Sequence, residues 1–477
     1  MDATDLAFAG AARQAELIAQ GEVSSRELTE LMLERIARID PRINAYRVVL
    51  AEQALAEADA ADARRAKAFT ATGRRRKGSE DPGILNGVPL AIKDDADLAG
   101  EPTAWGTAAH GPAKTEDAEV VRRLRAAGGV VLGKTHVPEM TAMPYTESMT
   151  FGATRNPWQL DRTPGGSSGG TAAAVAAGLA GLGLGSDGGG SIRIPSAFCG
   201  LFGIKPQRDR VPLAPHDDAW QGMSVNGPLA RTVADAALFL DATTTLPAPE
   251  GGFLAATASD PGPLRIALST AVPAGSLPPS LGPDQQRGLA ETAELLRSLG
   301  HTVVERDIDW PLRIWQAVNL RIVRGIGDDV ADAMPERHRL ERRVRAAARI
   351  GQALPPGLVR WAREAEPAMT RKVAAIFDDV DVVLTPMMPR GPFAVGAWAH
   401  YGLARLLAQA PRWVAYAAAV NVTGLPACSV PAGFDGDGLP VAVQLLGPQA
   451  GEERLLALAA QLERERPWAQ HRPAIAA

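Results

Sequence analysis

The chain has 477 residues and only two cysteines, Cys199 and Cys428. Two cysteines cannot build a disulfide framework in a chain of this length, and each lies among small or apolar residues. We therefore expect both thiols to be reduced and buried. The first ten residues are acidic and lack the basic and apolar regions of a signal peptide, so the expected location is cytoplasmic.

Long hydrophobic runs are also missing, because the longest, around residues 172–184, is too short and too rich in glycine to cross a bilayer. The net charge of −4 leaves no basic excess for a nucleic-acid surface. One basic block, residues 74–77, lies among Gly, Thr and Ser, which favours a solvated loop. The histidines and cysteines show no pair at ligand spacing. Membrane, nucleic acid and metal are therefore not expected as partners.

What the chain does have is typical of a large globular protein, with 46% hydrophobic and 22% charged residues. From about residue 84, short apolar strands alternate with segments of helical periodicity, which predicts an α/β layer structure. No linker interrupts this pattern, and we expect a single domain over residues 1–477. Its expected parts are N-terminal helices (1–68), a core with the motifs below (84–245), a variable helical region (250–380) and strands that return to the sheet (381–477).

Two motif matches lack the structural context that their function needs. Residues 128–135, "GGVVLGKT", fit the P-loop pattern, but a helix is predicted before them and Pro138 follows. A P-loop needs a strand before it and a helix after it. Residues 165–169, "GGSSG", fit the nucleophile elbow of α/β-hydrolases. The segment before them carries two prolines and makes a poor strand, and no later histidine has a recognisable catalytic context.

The remaining constellation combines a lysine with two glycine-rich turns. Lys93 closes the apolar strand "PLAIK", where burial would lower its pKa and yield a neutral amine that can activate a serine. The alternative is that Lys93 reaches the surface and pairs with Asp94 or Asp95. The turns are "PGGSSGG", residues 164–170, and "GSDGGGSIRIP", residues 185–195.

The second turn offers both a nucleophile and hydrogen-bond donors. Three glycines, residues 188–190, precede Ser191, and successive backbone N–H groups of such a turn can bind an oxyanion. In the first turn, Ser167 or Ser168 could pass a proton between Lys93 and Ser191. The alternative for Ser168 is the N-cap of the Ala-rich helix that follows.

These residues resemble the amidase signature family. The likeness extends to "GKTHVPEM", "FGATRNPW", "GPLARTVADAA" and "VNVTGLPACSVPAGFDGDGLPVAVQLLG", in family order, and covers nearly the whole chain. It implies the amidase signature fold, an α/β protein whose large mixed β-sheet is covered by helices on both faces (α/β/α). It also implies hydrolysis of a carbon–nitrogen (amide) bond without a cofactor.

The resemblance implies a role for each member of a triad. Ser191 would be the nucleophile, Ser167 the relay on a cis peptide after Gly166, and Lys93 the base. Neutral Lys93 would take the proton of Ser167 while Ser167 takes that of Ser191, and water would later hydrolyse the acyl-enzyme.

The resemblance also implies which residues surround this triad. Backbone N–H groups for the oxyanion would come from Ser191 and from Gly188, Gly189 and Gly190. The turn would be braced by Asp187 and Arg193, with Ser168 beside it. The expected contacts with the substrate, in the segment after "GKT", are Met140, Thr141, Ala142 and Met143.

Two departures from the family pattern bear on the substrate. Family members commonly carry a larger residue where this chain has Gly188, so we expect the extra glycine to widen the oxyanion wall and admit bulkier acyl groups. The glutamine-hydrolysing transamidation subunit resembles this chain but carries an aspartate for the substrate ammonium seven residues before the asparagine that corresponds to Asn421. This chain has Val414 there, which argues against glutamine as the substrate.

The expected substrate is a small amide with an apolar or aryl acyl group, since "MTAMPY" and the aromatics of residues 310–415 favour an apolar pocket. A carbamate (urethane) or ester hydrolase with the same triad is an alternative, because "PWAQHRP" at the C-terminus resembles bacterial members among whose relatives are urethane hydrolases. A partner-dependent amidotransferase subunit is the alternative of another class. The protein is expected to act as a monomer or homodimer.

Overall fold

The strands of the described residues form one large sheet and one small one. The computed structural model describes residues 1–70, 73–276 and 280–476. The predicted regions 250–380 and 381–477 include residues 277–279 and 477, which lie outside the described residues. The strands are β1 (Tyr46–Val49), β2 (Pro89–Lys93), β3 (Val130–Thr135), β4 (Glu147–Ser148), β5 (Gly152–Ala153), β6 (Leu182–Asp187), β7 (Phe202–Lys205), β8 (Val225–Ala230), β9 (Arg265–Leu268), β10 (Thr302–Glu305), β11 (Val382–Pro386), β12 (Ala427–Phe434) and β13 (Pro440–Leu446).

In the described ranges, α-helices precede, separate or follow most of these strands. They are α1 (Ala3–Phe8), α2 (Gly10–Gln20), α3 (Ser25–Ile43), α4 (Ala51–Ala68), α5 (Glu119–Ala126), α6 (Gly169–Ala176), α7 (Arg193–Cys199), α8 (Val233–Thr243), α9 (Gly252–Ala258), α10 (Pro283–Ser298), α11 (Ile314–Ala333), α12 (Arg342–Ala353), α13 (Pro356–Glu364), α14 (Glu366–Ala374), α15 (Leu403–Trp413), α16 (Ala418–Thr423) and α17 (Glu452–Glu465).

The large sheet is mixed. Its eleven described strands lie in the order β1-β3-β2-β6-β8-β7-β12-β13-β11-β9-β10, and β4 pairs with β5 apart from it. β2 runs parallel to both β3 and β6, and β9 runs parallel to β10 and β11. Antiparallel pairs fill the middle of the sheet. The last strands rejoin the sheet as predicted, because β12 pairs with β7.

Helices cover both faces of this sheet, which confirms the predicted α/β/α architecture. Alternate residues of β2 show the physical reason, since side chains of a strand point to opposite faces in turn. Leu90 and Ile92 belong to a core cluster with α5, α8 and α17, whereas Ala91 belongs to a cluster with α3, α4 and α6. Further along the sheet, Ala267 of β9 and Val383 of β11 pack with α11 and α12.

The N-terminal part agrees with the sequence in its helices and differs in one strand. A capping box opens α3, because Glu27 N–H donates to Ser24 Oγ and Ser24 N–H donates to the Glu27 carboxylate. The prediction that residues 1–68 are all helical is wrong, because β1 pairs antiparallel with β3 at the sheet edge. Val48 and Val49 of this strand are β-branched and suit an edge position.

The absences in the sequence have structural counterparts. Cys199 and Cys428 are free and buried, as predicted, and burial raises the pKa of both thiols. The basic block at residues 74–77 is exposed. No helix among the described residues combines the length and the apolar character that a membrane crossing needs.

Candidate active site

The predicted lysine and the two glycine-rich turns meet at one edge of the sheet. β2 ends at Lys93 and β6 ends at Asp187, and these two strands are parallel neighbours. Since the carboxyl ends of parallel strands lie at the same edge, Lys93 faces the turn that follows β6. The other turn, which begins at residue 164, leads into α6 at Gly169 and brings Ser167 to the same point.

Lys93 is completely buried, and three side chains hold its amine. Nζ lies 2.8 Å from Ser167 Oγ, 2.6 Å from Ser186 Oγ and 3.0 Å from Asp95 Oδ2. Burial lowers the pKa of Lys93, while the charge and hydrogen bond of Asp95 oppose this, and the net direction is downward. The alternative that Lys93 reaches the surface is wrong, although its pairing with Asp95 is present.

Several residues around Lys93 and Ser191 were not assigned from the sequence, among them Asp95, Ser186 and His216. Ser186 Oγ donates to Asp95 Oδ2 at 2.5 Å and accepts from Lys93, so these side chains form a closed network. The only sequence signal for Asp95 and Ser186 was their position next to residues already singled out. His216 also lines the cavity and packs edge-on against Trp105, with ring centroids 6.1 Å apart. Nothing local in the sequence pointed to it.

The first turn places its two serines in different environments. The Gly166–Ser167 peptide is cis, as the resemblance implied. Ser168 is the N-cap residue of α6, but its side chain makes no capping hydrogen bond. Its Oγ donates to Ser186 O at 3.3 Å and its N–H donates to Ser191 O at 3.2 Å, so it joins the two turns. The interpretation of the Ser168 hydroxyl as a helix cap is therefore wrong.

A fully buried ion pair braces the turn that carries Ser191. Arg193 donates from Nε and Nη2 to the Asp187 carboxylate at 3.0 and 2.9 Å. Burial alone would raise the pKa of Asp187, but Arg193 and Asn421 hold that pKa well below its usual range. Arg193 also donates to Gln444 Oε1 at 2.6 Å and to Asn421 Oδ1 at 2.7 Å. The pair is thus fully hydrogen-bonded, as a buried ion pair must be.

The predicted oxyanion hole needs one correction. Gly190 N–H donates to Asp187 Oδ1 at 2.7 Å, so it closes the turn and is not free to bind an oxyanion. Its φ of +117° is a conformation that favours glycine. The N–H groups of Gly188, Gly189 and Ser191 have no partner in the part of the chain that the structure describes, and they remain as candidate donors.

A second correction concerns the extra glycine. A Cβ at Gly188 would lie 2.7 Å from Trp220 Cε3, because the indole ring packs directly on this glycine. Trp220 therefore fills the space that a larger residue would take. The expectation that Gly188 widens the wall is wrong.

Two cavities meet at Ser191. One has a volume of about 40 Å³ and is lined by several polar side chains, so we call it the polar cavity. The other has a volume of about 130 Å³ and a mainly apolar lining, and we call it the apolar cavity. Ser191, Thr141 and Trp220 line both cavities. The polar cavity includes Ser167 and the side chains of Asp95, Asp97, His216, Asn226 and Asp329. The apolar cavity includes Trp315, Val318, Ile322, Ile326, Leu406 and Val414.

Three of the four predicted substrate contacts line these cavities. Thr141 lines both, and Ala142 and Met143 line the apolar one. Met140 is fully buried in a core cluster, and its N–H donates to the carbonyl of Trp105 at 2.8 Å. The assignment of Met140 to the pocket is wrong, because its side chain packs into the core beneath the cavity wall.

The motif matches that lacked context have ordinary structural roles. Lys134 of the P-loop-like segment is buried in an ion pair with Asp94, with Nζ 2.9 Å from Oδ1, and the segment itself is β3. The described segment between Ala153 and Ser167 contains no strand, so the elbow pattern has no strand before its serine. Within the described ranges, no three His, Cys, Asp or Glu side chains are grouped so that they could hold a metal ion.

A mixed α/β sheet with a buried lysine–serine contact at its edge is what the resemblance implied, and comparison with known proteins identifies the class as amide-hydrolysing enzymes. The family model described as Amidase matches residues 27–456. The chain belongs to the amidase family, and its large sheet has the amidase signature fold.

The similarity to individual proteins covers the full length of the chain. "Putative amidase AmiB2" of Mycobacterium bovis is 55% identical over 475 residues, which is 100% of both chains. The solved structure of 6-aminohexanoate cyclic dimer hydrolase matches with a TM-score of 0.87 and 29% identity, covering 100% of this chain and 99% of that one. A glutamyl-tRNA(Gln) amidotransferase chain of Roseiflexus castenholzii is more distant, at 35% identity with 97% of each chain covered.

Proposed function

We propose that this amidase hydrolyses small amides with an apolar or aryl acyl group through a seryl acyl-enzyme on Ser191. The observation that carries the proposal is the 2.8 Å contact between the Lys93 amine and the Ser167 hydroxyl, in the cavity that Ser191 also lines. A buried lysine with a lowered pKa can act as the base, and Ser167, which lines the same cavity as Ser191, can pass protons between the two.

Acylation begins when Ser191 Oγ attacks the amide carbonyl carbon. The Ser191 proton passes to Ser167, and the Ser167 proton passes to Lys93, which becomes an ammonium. The negative charge that develops on the carbonyl oxygen is bound by the N–H groups of Gly188, Gly189 and Ser191.

The carbon–nitrogen bond then breaks, and the leaving nitrogen takes a proton from Ser167, which Lys93 replaces. Because Ser167 lines the polar cavity, the leaving amine lies on that side and the acyl group lies in the apolar cavity. Water enters where the amine has left, loses a proton along the same path and hydrolyses the ester on Ser191. The products are a carboxylic acid and an amine.

The size of the apolar cavity supports an aryl or branched acyl group. Its volume of about 130 Å³ is close to that of an engineered apolar cavity, roughly 150 Å³, that binds benzene. Trp315, Ile322 and Leu406 supply the apolar surface, and burial of such a group contributes to binding.

The alternatives have less support. The same triad could attack a carbamate or an ester. However, the extra space that was expected beside Gly188 is filled by Trp220. For an amidotransferase subunit, the position that would hold the substrate ammonium is Val414, whose apolar side chain lines the acyl cavity. We therefore propose a stand-alone cytoplasmic enzyme, monomeric or homodimeric, that acts on a small amide.

The test compares purified wild-type protein with Ser191→Ala and Lys93→Ala on benzamide at pH 7, with release of benzoate as the readout. We expect both variants to lose about 10³-fold or more in kcat/KM and to keep the far-UV circular dichroism spectrum of the wild type. Mass spectrometry of wild type quenched during turnover is expected to find a benzoyl group on the peptide that contains Ser191.

Lys372→Ala is the matched control for Lys93→Ala. Lys372 pairs with Asp309 on the surface and is not among the residues that line either cavity. We expect wild-type kcat/KM for this variant. A Lys93→Ala protein that kept more than about a tenth of the wild-type rate at pH 7 would contradict the role of Lys93 as the base.

A further inference from the structure

Trp220 stands between the two cavities that meet at Ser191, since it lines both. Its ring is packed between two glycines. A Cβ at Gly188 would lie 2.7 Å from Cε3 of the indole, and a Cβ at Gly325 would lie 2.9 Å from Cδ1. Real Cβ atoms do not approach other atoms this closely, so a side chain at either position would displace the ring. The two glycines form the slot that admits the indole.

Hydrogen bonds fix the ring in this slot. The indole Nε1 donates to Asp329 Oδ2 at 2.8 Å, and Asp329 lies one helical turn after Gly325 on α11. The next residue of the loop, Gln221, accepts from Arg321 Nε at 2.9 Å through its carbonyl. The loop is thus bound to the same helix on both sides of the ring, and Trp220 is a fixed partition.

The cavity on the polar side of this partition is small. Its volume of about 40 Å³ is about a quarter of the roughly 150 Å³ of the engineered cavity that binds benzene. A cavity of this size suits ammonia or methylamine better than an aniline ring. The carboxyl groups of Asp95 and Asp97 line it, which suits the ammonium that a released small amine becomes in water. Burial raises the pKa of Asp329, which also lines it, to about 7.

We propose that Trp220 determines the leaving-group specificity of this amidase, and that its substrates are primary amides and small N-alkyl amides of apolar or aryl acids. The proposal rests on the proposed function, because it places the leaving amine on the Ser167 side of Ser191. Trp220 excludes an aryl amine by occupying the volume beside Gly188. Anilides are therefore poor substrates, although aniline is chemically a better leaving group than ammonia.

The test measures kcat/KM for benzamide and benzanilide with wild type and Trp220→Ala. Both substrates give the same benzoyl-enzyme, so the ratio of their kcat/KM values reports on the leaving group alone. We expect wild type to prefer benzamide by about tenfold or more. We expect Trp220→Ala to lower that ratio by about tenfold or more, mainly because benzanilide is hydrolysed faster.

Two controls separate this role from a structural one. Trp315→Ala removes an indole that lines only the apolar cavity, so both substrates are expected to change together and their ratio to stay within about threefold of wild type. Trp220→Phe keeps a ring in the slot without the bond to Asp329, and the preference for benzamide is expected to remain. If Trp220→Ala does not fold, Trp220→Leu replaces it in the same measurement.

An unchanged ratio in a Trp220 variant that still hydrolyses benzamide would overturn the proposal, as would wild-type protein that hydrolyses benzanilide as well as benzamide. Wild-type protein that is no faster than Ser191→Ala on either substrate contradicts the proposed function instead. The two failures are therefore distinguishable in one set of assays.

Discussion

For Lys93, two neighbouring effects act on the pKa in opposite directions. Complete burial lowers the pKa of the amine, and the Asp95 carboxylate 3.0 Å away partly restores it. A lysine with burial alone would be neutral but a weak base, and one with strong pairing would stay charged. The proposed mechanism depends on this combination, because it requires Lys93 to take a proton from a serine near neutral pH.

Replacing Asp95 with asparagine tests this balance. Asp95→Asn removes the charge but keeps an acceptor for Ser186, so the pKa of Lys93 is expected to fall further. Because the base must be neutral, the ascending limb of kcat/KM against pH moves to lower pH, and the plateau falls by about tenfold since the base is weaker. The measurement is the hydrolysis of benzamide from pH 5 to pH 10.

Asp97→Asn is the matched control, because Asp97 lines the same cavity but bonds to Thr103 and Lys114. Its ascending limb is expected to coincide with that of wild type. If the ascending limb of kcat/KM moves to higher pH in Asp95→Asn, the result contradicts the role of Lys93 as a base whose pKa Asp95 raises.

The part of the site that could be predicted from the sequence is local. Lys93 at a strand end, and Ser167 and Ser191 in glycine-rich turns, carry their signal within a few residues of chain. Trp220 could not be found this way, because it reaches Gly188 through a loop whose position depends on α11. The error at Gly190 has the same origin on a smaller scale, since a carboxylate three residues earlier turns back to bind its N–H.

Among the helices, α11 and α12 shape the apolar cavity through their close approach. Ile322 of α11 and Ala347 of α12 both line this cavity. A Cβ at Gly351 of α12 would lie 2.0 Å from the carbonyl oxygen of Val323 on α11, so the two backbones touch at this point. Any added side chain there must separate the helices.

Gly351→Ala is therefore expected to destabilise the protein. At an open position inside a helix the same change would stabilise it by about 1 kcal/mol. At Gly351 the clash reverses the sign. We expect the free energy of unfolding to fall by about 2 kcal/mol or more, seen as a lower Tm in calorimetry. Gly357→Ala on α13 is the control, because a Cβ there would meet nothing within 4 Å. A Tm for Gly351→Ala at or above that of wild type would show that the helices adjust freely.

At the level of elements, sequence patterns located most strands and helices of the core because burial imposes a regular period on each. β1 was not predicted, because it is four residues long and lies between two helices, and so short a segment shows no clear alternation of apolar and polar residues. Its pairing with β3 comes from the tertiary structure, and no window of sequence contains both strands.

Across the whole molecule, several buried carboxyl groups favour their protonated form. Burial raises the pKa of Asp40 and Asp235 to about 6, that of Glu139 to about 7 and that of Glu463 to about 8. The folded state then binds more protons than the unfolded state. The stability contributed by these groups is complete below about pH 4 and is lost as pH rises through the raised pKa values.

Glu463→Gln isolates one of these groups. Glu463 joins α17 to α8 by accepting the Val233 N–H, and its other carboxyl oxygen is buried without a partner among the described residues. Between pH 5 and pH 8 we expect the free energy of unfolding of wild type to fall by about 2–4 kcal/mol because of this group. The glutamine variant is expected to avoid that loss. Urea denaturation midpoints at both pH values measure the difference.

The exposed neighbour Glu453 on the same helix provides the control, and Glu453→Gln is expected to follow wild type at both pH values. If Glu463→Gln and wild type show the same change in midpoint between pH 5 and pH 8, the buried carboxyl is not the source of the loss.

Arg193, which braces the turn that carries Ser191, contacts residues that are synthesised much later than the turn itself. Arg193 bonds to Asn421 and Gln444, which follow it by 228 and 251 residues. A ribosome completes Lys93, Ser167 and Ser191 long before it reaches these partners. The nascent chain therefore carries Lys93, Ser167 and Ser191 while the turn still lacks these two partners, and we expect hydrolysis only after the last strands have been added.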